Sequence, residues 1–142
     1  MSQKEGVTAL ERTPIFPLTF VDVLSLAVAQ SGNSEFTADW ERWHSAIADF
    51  IEEKATDDNP LGDIHFQRRE PYAPFSEEVE AFLSIMRRSG CFAVLNQRGR
   101  SSYMIDQETR TQIITRRDER LDDQQNSIAE LAEKINNSLG IK

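Results

Sequence analysis

Apolar side chains recur at helical spacing in three separate stretches of the chain. The first stretch lies between Pro17 and Gly32. Its apolar positions are Phe20, Val21, Leu24, Ala27 and Val28. Thr19, followed three residues later by Asp22, resembles a capping box, and a glycine just past a helix can adopt positive φ. This pattern predicts a first helix that ends at Gly32.

The second stretch has the strongest amphipathic pattern in the sequence. Its apolar positions are Trp40, Trp43, Ile47, Phe50 and Ile51, which recur on one helical face. Charged residues occupy the other faces, so the pattern predicts a helix with one buried side. Ser34 or Thr37 can cap its start, and the turn-forming residues 56–62 end it.

A third helix is predicted to begin after Ser76, a favourable N-cap residue. Its first turn carries Glu77, Glu78 and Glu80, whose carboxylates complement the positive end of the helix dipole. Its apolar positions are Val79, Phe82, Leu83 and Met86. Gly90 ends this helix. Between the second and third helices, residues 64–66 are a candidate short strand.

The spacing then changes to that of two strands. Residues 91–95 and 101–105 predict a β-hairpin, and residues 96–100 form its tip, where Gly99 can adopt positive φ. Asp106 can cap a helix that runs from Gln107 to the end of the sequence. Apolar residues follow at heptad spacing in this helix, at Ile114, Leu121, Ile128, Leu131 and Ile135. Polar residues fill the alternate seam positions, so the seam predicts a helix that packs or associates through these five residues.

The length of 142 residues favours one domain. We expect a flexible arm over 1–16, the main domain over 17–117 and a C-terminal helix for packing or association over 118–142. No apolar run approaches the roughly 18 residues of a membrane span, and the first residues do not form a secretory signal. Cys91 is the single cysteine, which fits a reducing compartment. The sequence therefore predicts a cytoplasmic protein without membrane contact.

The net charge of −8 argues against a general affinity for nucleic acid. Residues 87–117, however, contain seven arginines against two acidic residues, a local charge of +5. These candidate anion or nucleic-acid contacts are Arg87, Arg88, Arg98, Arg100, Arg110, Arg116 and Arg117. The guanidinium fork binds phosphate or carboxylate in a bidentate manner. The alternative is a solvated face combined with charge compensation at helix C-termini.

No constellation of catalytic or metal-binding residues stands out. His44 and His65 lack companions at metal-ligand spacing and are interpreted as packed or surface histidines, and Trp40 and Trp43 as core residues. The sequence contains no glycine-rich phosphate loop and no nucleophile motif. We therefore expect a protein that is not an enzyme and that needs no cofactor or metal.

Residues 71–114 carry a pattern of an aromatic-small-Pro start, a Ser-capped helix ending in Gly, and a Tyr-containing strand that runs into a polar N-cap. The matching positions are Tyr72, Ala73, Pro74, Ser76, Gly90, Tyr103 and Asp106. This pattern resembles small prokaryotic winged helix-turn-helix proteins. The resemblance implies a mainly α fold with one β-hairpin, of class α+β, in which the hairpin is the wing.

This sequence departs from the winged-helix pattern in two ways. A connection over 56–75 replaces the tight turn between the second and third helices. The helix in the recognition position begins with three glutamates, which would repel phosphate.

Two functions remain open. The first hypothesis is a non-catalytic winged-helix-type interaction subunit, an accessory component of a larger complex. It would bind a protein partner or a second copy through the C-terminal helix, with possible DNA contact through the Arg-rich hairpin. The alternative is a dimeric DNA-binding transcriptional regulator. The acidic start of the third helix favours the interaction subunit.

Overall fold

The computed structural model describes residues 18–54 and 60–141, which form five α-helices and a three-stranded antiparallel sheet. The helices are α1 (Phe20–Gln30), α2 (Trp40–Glu53), α3 (Glu77–Arg88), α4 (Gln107–Thr115) and α5 (Gln125–Leu139). The strands are β1 (Glu35–Thr37), β2 (Ala93–Gln97) and β3 (Arg100–Met104), and a 3-10 turn over Glu119–Gln124 precedes α5. The predicted α+β class is confirmed. The predicted arm over 1–16 lies outside the described residues.

The three predicted N-terminal helices are present, and α1 and α3 begin at the predicted caps. The backbone N–H of Thr19 donates a 2.8 Å hydrogen bond to the Asp22 carboxylate at the start of α1. Gly32 follows α1 with a φ of 81°. At α3, the Ser76 hydroxyl accepts hydrogen bonds of 3.2 Å from the backbone N–H groups of Glu78 and Val79. None of the described helices is long and apolar enough to cross a membrane.

The start of α2 differs from the prediction. Ser34 and Thr37 do not cap this helix, because Glu35–Thr37 forms β1 and pairs with β3. Asp39 is the N-cap instead, and its side chain accepts a 3.0 Å hydrogen bond from the backbone N–H of Glu41. A strand of three residues is too short to show alternation, and its partner lies far away in the sequence, so the pattern alone did not indicate it.

The sheet has the strand order β1-β3-β2. The hairpin of β2 and β3 is confirmed, but its tip is shorter than predicted. Only Arg98 and Gly99 lie in the turn, with φ values of 52° and 76°. Two successive residues with positive φ are typical of the type I′ turn, whose twist matches that of the strands.

The connection between α2 and α3 contains no strand over 64–66, so that prediction is wrong. Ile64 is buried in the core, and the extended pairing is a single bridge between Gln67 and Phe75. The Glu78 carboxylate accepts a 2.8 Å hydrogen bond from the backbone N–H of His65. This contact holds the connection against the first turn of α3.

The continuous helix predicted from Gln107 to the chain end is also wrong. α4 ends at Thr115, and Asp118 starts the 3-10 turn by accepting a 2.9 Å hydrogen bond from the backbone N–H of Arg120. Short polar side chains such as Asp compete with helix continuation by bonding to the nearby backbone. The interruption lets α5 pack against both α1 and α2.

The apolar seam of the C-terminal region is covered by its own chain. Leu121, Ile128, Leu131 and Ile135 are each at most 1% exposed, and Ile114 packs partly buried against the same core. These five residues therefore pack within the chain, which is one of the two alternatives that the sequence left open. Over so few turns, a heptad seam and the buried face of an ordinary amphipathic helix have nearly the same spacing.

An aromatic cluster joins α2, α3 and the sheet. Trp43 lies at its centre, fully buried, with ring centroids 6.1–6.3 Å from those of its neighbours. These neighbours are Phe36, Phe82, Phe92 and Tyr103. The Trp43 indole N–H also donates a 2.6 Å hydrogen bond to the carbonyl of Thr37. The cluster fixes the position of the hairpin relative to α3.

Candidate interaction surface

Helix α3 buries one side and leaves a stripe exposed. Its buried residues are Val79, Phe82, Leu83 and Met86, as the sequence predicted. The exposed residues Glu77, Ala81, Ile85 and Arg88 recur at intervals of four, four and three, so they share one face. Ile85 is 41% exposed. The free face of α3 thus has an apolar centre, an acidic start and a basic end.

At the start of α3, the ionised form of Glu78 is stabilised by a backbone hydrogen bond. The hydrogen bond from the backbone N–H of His65 lowers the pKa of Glu78, because it stabilises the charged carboxylate. Glu77 and Glu80 add further carboxylates in the same turn. In a winged-helix protein this end of the helix would approach DNA, and three carboxylates there oppose phosphate.

Strand β2 follows directly on α3 and forms an edge of the sheet. The backbone N–H of Phe92 donates a 2.9 Å hydrogen bond to the carbonyl of Met86, which ties the end of α3 to the start of the strand. Ala93 is exposed, and Val94 is 50% exposed although it is apolar. The surface formed by the free face of α3 and by β2 is called the α3–β2 surface below.

Three of the seven predicted arginines are engaged within the chain. Arg87 donates a 2.9 Å hydrogen bond to the Tyr103 hydroxyl, and its guanidinium lies 5.9 Å from the centre of that ring. Arg110 donates to the carbonyl of Ala29 at 3.4 Å. Arg117 forms a 2.9 Å ion pair with Asp122. These three side chains hold elements of the fold together.

The other four predicted arginines are exposed and have no hydrogen bond or ion pair from their side chains within 18–54 and 60–141. They are Arg88, Arg98, Arg100 and Arg116. Arg88 lies at the end of α3, Arg98 and Arg100 at the hairpin, and Arg116 at the end of α4. The seven arginines therefore do not form one continuous patch.

Arg98 and Arg100 line a groove of about 1250 Å³ between the hairpin and the start of α2. Arg42 lines the same groove and donates to the carbonyl of Ser138 at the end of α5. The groove is also lined by Glu35, Thr37, Asp39, Gln97, Ser102 and Ile141. The sequence did not single out Arg42, because the pairing of β1 with β3 brings it to the hairpin from far away in the chain.

His44 occupies an aromatic cluster next to the N-terminus of α3. It is fully buried, its ring stacks on Phe75 at 4.9 Å, and Trp40 and Phe66 contact it edge-on at 5.3 and 6.4 Å. The interpretation of His44 as a packed residue is confirmed. The assignment of Trp40 to the core is wrong, because this ring is 45% exposed.

Within the described parts of the chain, no group of three or more His, Cys, Asp or Glu residues could hold a metal ion. Cys91 is half-buried at the start of the hairpin region. Comparison with protein families, with curated proteins and with solved structures finds no match to this chain.

Proposed function

We propose that the chain is a non-catalytic interaction subunit with a winged-helix-like fold, and that it binds a protein partner through the α3–β2 surface. The order α1-β1-α2-α3-β2-β3 and the sheet order β1-β3-β2 support the fold assignment. In this arrangement α3 takes the recognition position and the β2–β3 hairpin is the wing. The connection over 54–76 remains longer than the tight turn of a helix-turn-helix.

The observation that carries the proposal is the pairing of apolar exposure with acidic charge on α3. Ile85 and Val94 leave apolar side chains in solvent on two elements that follow each other directly. The carboxylates of the first turn disfavour nucleic acid on the same helix face, whereas a protein partner can supply both apolar cover and basic side chains. The α3–β2 surface thus has the chemistry of a protein interface.

The test is purification of partners from a native extract on the tagged full chain, after nuclease treatment. We expect partner proteins to be retained by the unaltered chain and lost from a variant carrying Ile85→Glu and Val94→Glu. Tyr72→Glu is the matched control, because Tyr72 is 71% exposed and lies on the connection outside the surface. Equal retention by all three chains, or loss of every partner on nuclease treatment, would contradict the proposal.

A second candidate function is contact with the phosphate backbone of nucleic acid at the groove. Arg42, Arg98 and Arg100 line it together, and the last two have no acceptor within the described residues. Such contacts would give binding that weakens with salt. Glu35 and Asp39 line the same groove and reduce its positive charge, which is why this function ranks second.

The test of this second candidate is binding of a labelled DNA duplex at low and moderate salt. Substitution of both Arg98 and Arg100 by Ala is expected to weaken binding and to reduce the salt dependence, while Arg116→Ala leaves both unchanged. A duplex that does not bind at low salt excludes it. A dimeric regulator joined through the C-terminal helix is no longer supported, because the residues of that seam are buried.

A further inference from the structure

The two edges of the sheet differ. The edge at β1 is closed by the C-terminal segment: Gly140 bridges to Phe36, and the backbone N–H of Ile141 donates a 2.9 Å hydrogen bond to the carbonyl of Glu35. The edge at β2 pairs with no other segment among residues 18–54 and 60–141. Among the described residues, one edge is thus covered by the chain itself, and the other is open.

We propose that the open edge of β2 binds an extended, acidic peptide segment of a partner protein, which adds a fourth strand to the sheet. This inference rests on the proposed function and specifies the chemistry of the partner. Strand addition draws its affinity from backbone hydrogen bonds and its specificity from the neighbouring side chains. The backbone of β2 supplies the hydrogen-bonding groups, and the residues that flank it supply the charges.

The backbone of β2 presents free groups to the edge. A two-residue turn makes Gln97 and Arg100 a hydrogen-bonded pair, and paired and unpaired positions alternate from there along the hairpin. The N–H and C=O groups of Val94 and Asn96 therefore point away from β3. The backbone N–H of Ala38 donates a 3.1 Å hydrogen bond to the carbonyl of Ser101. This bond fits the alternation, because it shows that the outward carbonyl of Ser101 on β3 points toward the side of β1.

The strand lacks the devices that protect an open edge. Natural edge strands are blunted by charged residues, prolines or bulges. The sequence of β2, Ala-Val-Leu-Asn-Gln, contains no charged residue and no proline, and its register with β3 is regular over all five residues. Val94 offers an exposed apolar side chain in the middle of this edge.

The charge around the edge selects an acidic occupant. Between residues 87 and 104 the chain has four arginines and no carboxylate. Arg88 lies before the strand and Arg98 directly after it, both exposed, with no ion pair in the part of the chain that the structure describes. A bound strand would therefore meet positive charge at both ends. The span from Ala93 to Gln97 is roughly 13 Å at 3.3 Å per residue, so about five residues would lie between the acidic ends.

The same charges disfavour a second copy as the occupant. In an antiparallel pair of two β2 strands, Arg98 at the hairpin tip of one copy would lie near the start of β2 in the other copy. Arg88 precedes that start. This arrangement brings like charges together. A nucleic acid has no peptide groups to complete the backbone ladder. A second copy and a nucleic acid are therefore outcomes that the test must separate from an acidic segment.

The test uses the full chain and a fluorescein-labelled peptide, EEVTVTVEE, in a fluorescence polarisation assay. We expect saturable binding that weakens at least tenfold for KKVTVTVKK, which reverses the charge, and for EEVTPTVEE, which interrupts the strand. Replacement of both Arg88 and Arg98 by Ala is expected to weaken binding by about two- to fivefold, as for exposed ion pairs. Arg116→Ala, which removes an exposed arginine at the end of α4, is the control and is expected to have no effect.

The decisive protein variant is Asn96→Pro. It removes an outward-pointing N–H and no backbone hydrogen bond of the hairpin, and edge positions of this kind tolerate proline. It also removes the Asn96 side-chain oxygen that accepts a hydrogen bond from the Ser101 hydroxyl. We expect at least a tenfold loss of peptide binding with an unchanged circular dichroism spectrum. Val94→Glu leaves the backbone intact and adds a repulsive charge, so it provides the same readout if Asn96→Pro disturbs folding.

Three results of the binding and sedimentation experiments would overturn the inference. They are peptide binding that is indifferent to Asn96→Pro and Val94→Glu, a dimer in sedimentation that Asn96→Pro dissociates, and a DNA duplex that binds in place of the peptide and is lost with Asn96→Pro. Partner proteins that are lost with Ile85→Glu but kept with Asn96→Pro would overturn strand addition and leave the proposed function standing. Peptide binding by a chain that retains no partner protein from the extract would overturn the proposed function and leave strand addition standing.

Discussion

The Nδ1 atom of His44 accepts a 2.9 Å hydrogen bond from the backbone N–H of Ser76, which joins α2 to the N-cap of α3. Because Nδ1 accepts, the neutral ring carries its proton on Nε2. Nε2 lies 3.7 Å from the Glu80 carboxylate and has no hydrogen-bond partner within the parts of the chain that the structure describes. Protonation would turn Nδ1 into a donor and break the bond to Ser76. The contact between the two helices therefore requires a neutral histidine.

This relationship predicts a pH dependence of stability. Burial lowers the pKa of His44 below its ordinary value of 6.5, and the Glu80 carboxylate offsets only part of that effect. The unfolded chain then binds more protons than the folded one as the pH falls below 6.5, so the free energy of unfolding decreases there. Urea unfolding at pH 7.5 and 5.5 should show a larger decrease for the unaltered chain than for His44→Gln. An equal decrease in both chains would show that His44 does not titrate differently on folding.

Removal of the α3 cap is expected to destabilise the fold moderately. The Ser76 hydroxyl accepts from two backbone N–H groups of the first turn, so Ser76→Ala should reduce the free energy of unfolding by about 1 kcal/mol. Ser84→Ala, on the same helix but outside the cap, is the control and should change it by less than about 0.5 kcal/mol. Urea unfolding of both variants measures the difference. If the cap does not contribute to stability, the two variants would have equal midpoints of urea unfolding.

The C-terminal seam is expected to behave as a core. Leu121→Ala and Ile128→Ala should each reduce the free energy of unfolding by about 2–5 kcal/mol, because both side chains are fully buried. Glu133→Ala on the exposed face of α5 should have little effect. The midpoint of unfolding should also not depend on protein concentration, as it would if the seam were covered by a second copy. A midpoint that rises with concentration would restore the association role.

The sequence predicted correctly those structural features that are determined by neighbouring residues. The Ser76 cap, the glycines after α1 and α3, and the Gly99 turn depend on residues within a few positions of one another, and all are found as predicted. Amphipathic spacing also identified the buried face of α3 correctly. Local backbone preferences and periodicity are sufficient for such features.

The features that the sequence missed depend on non-local contacts. β1 exists because Phe36 pairs with Tyr103, and Arg42 reaches the hairpin through the same pairing. The sequence identified the seam residues as apolar contacts but left open whether the chain itself or a partner covers them, because periodicity shows only that a helix face is buried. The open edge of β2 could be recognised only after the strand order was known.

The carboxyl group of Asp118 is expected to titrate at unusually low pH. Hydrogen bonds from the side chain and backbone of Arg120 lower its pKa from 3.8 to about 2. A lowered pKa means that this contribution to stability is present above pH 3.8 and is lost as the pH falls toward 2. Titration of the side-chain carboxyl by NMR should give this value directly, and Arg120→Gln should move it back toward 3.8. A pKa near 3.8 in the unaltered chain would show that the pair does not form in solution.

The closed edge of the sheet should depend on the small size of Gly140. A Cβ atom at this position would lie 2.6 Å from the carbonyl oxygen of Asn136 and closer still to the Asn33 amide, which itself donates a 2.9 Å hydrogen bond to Asn136. Gly140→Ala must therefore displace the C-terminal segment from β1, at a cost of about 1–3 kcal/mol. The amide proton of Ile141 should then exchange about tenfold faster or more, because its bond to Glu35 is weakened.

The exposed residue Asn137 supplies the control for this experiment, since Asn137→Ala changes the same helix end without adding an atom near Asn33. In Asn137→Ala, the amide proton of Ile141 should exchange at the same rate as in the unaltered chain. Unchanged exchange in Gly140→Ala would mean that the segment accommodates a Cβ atom, and that the β1 edge is not closed by steric fit. Faster exchange confined to Gly140→Ala would show that the chain protects the β1 edge of the sheet through this contact.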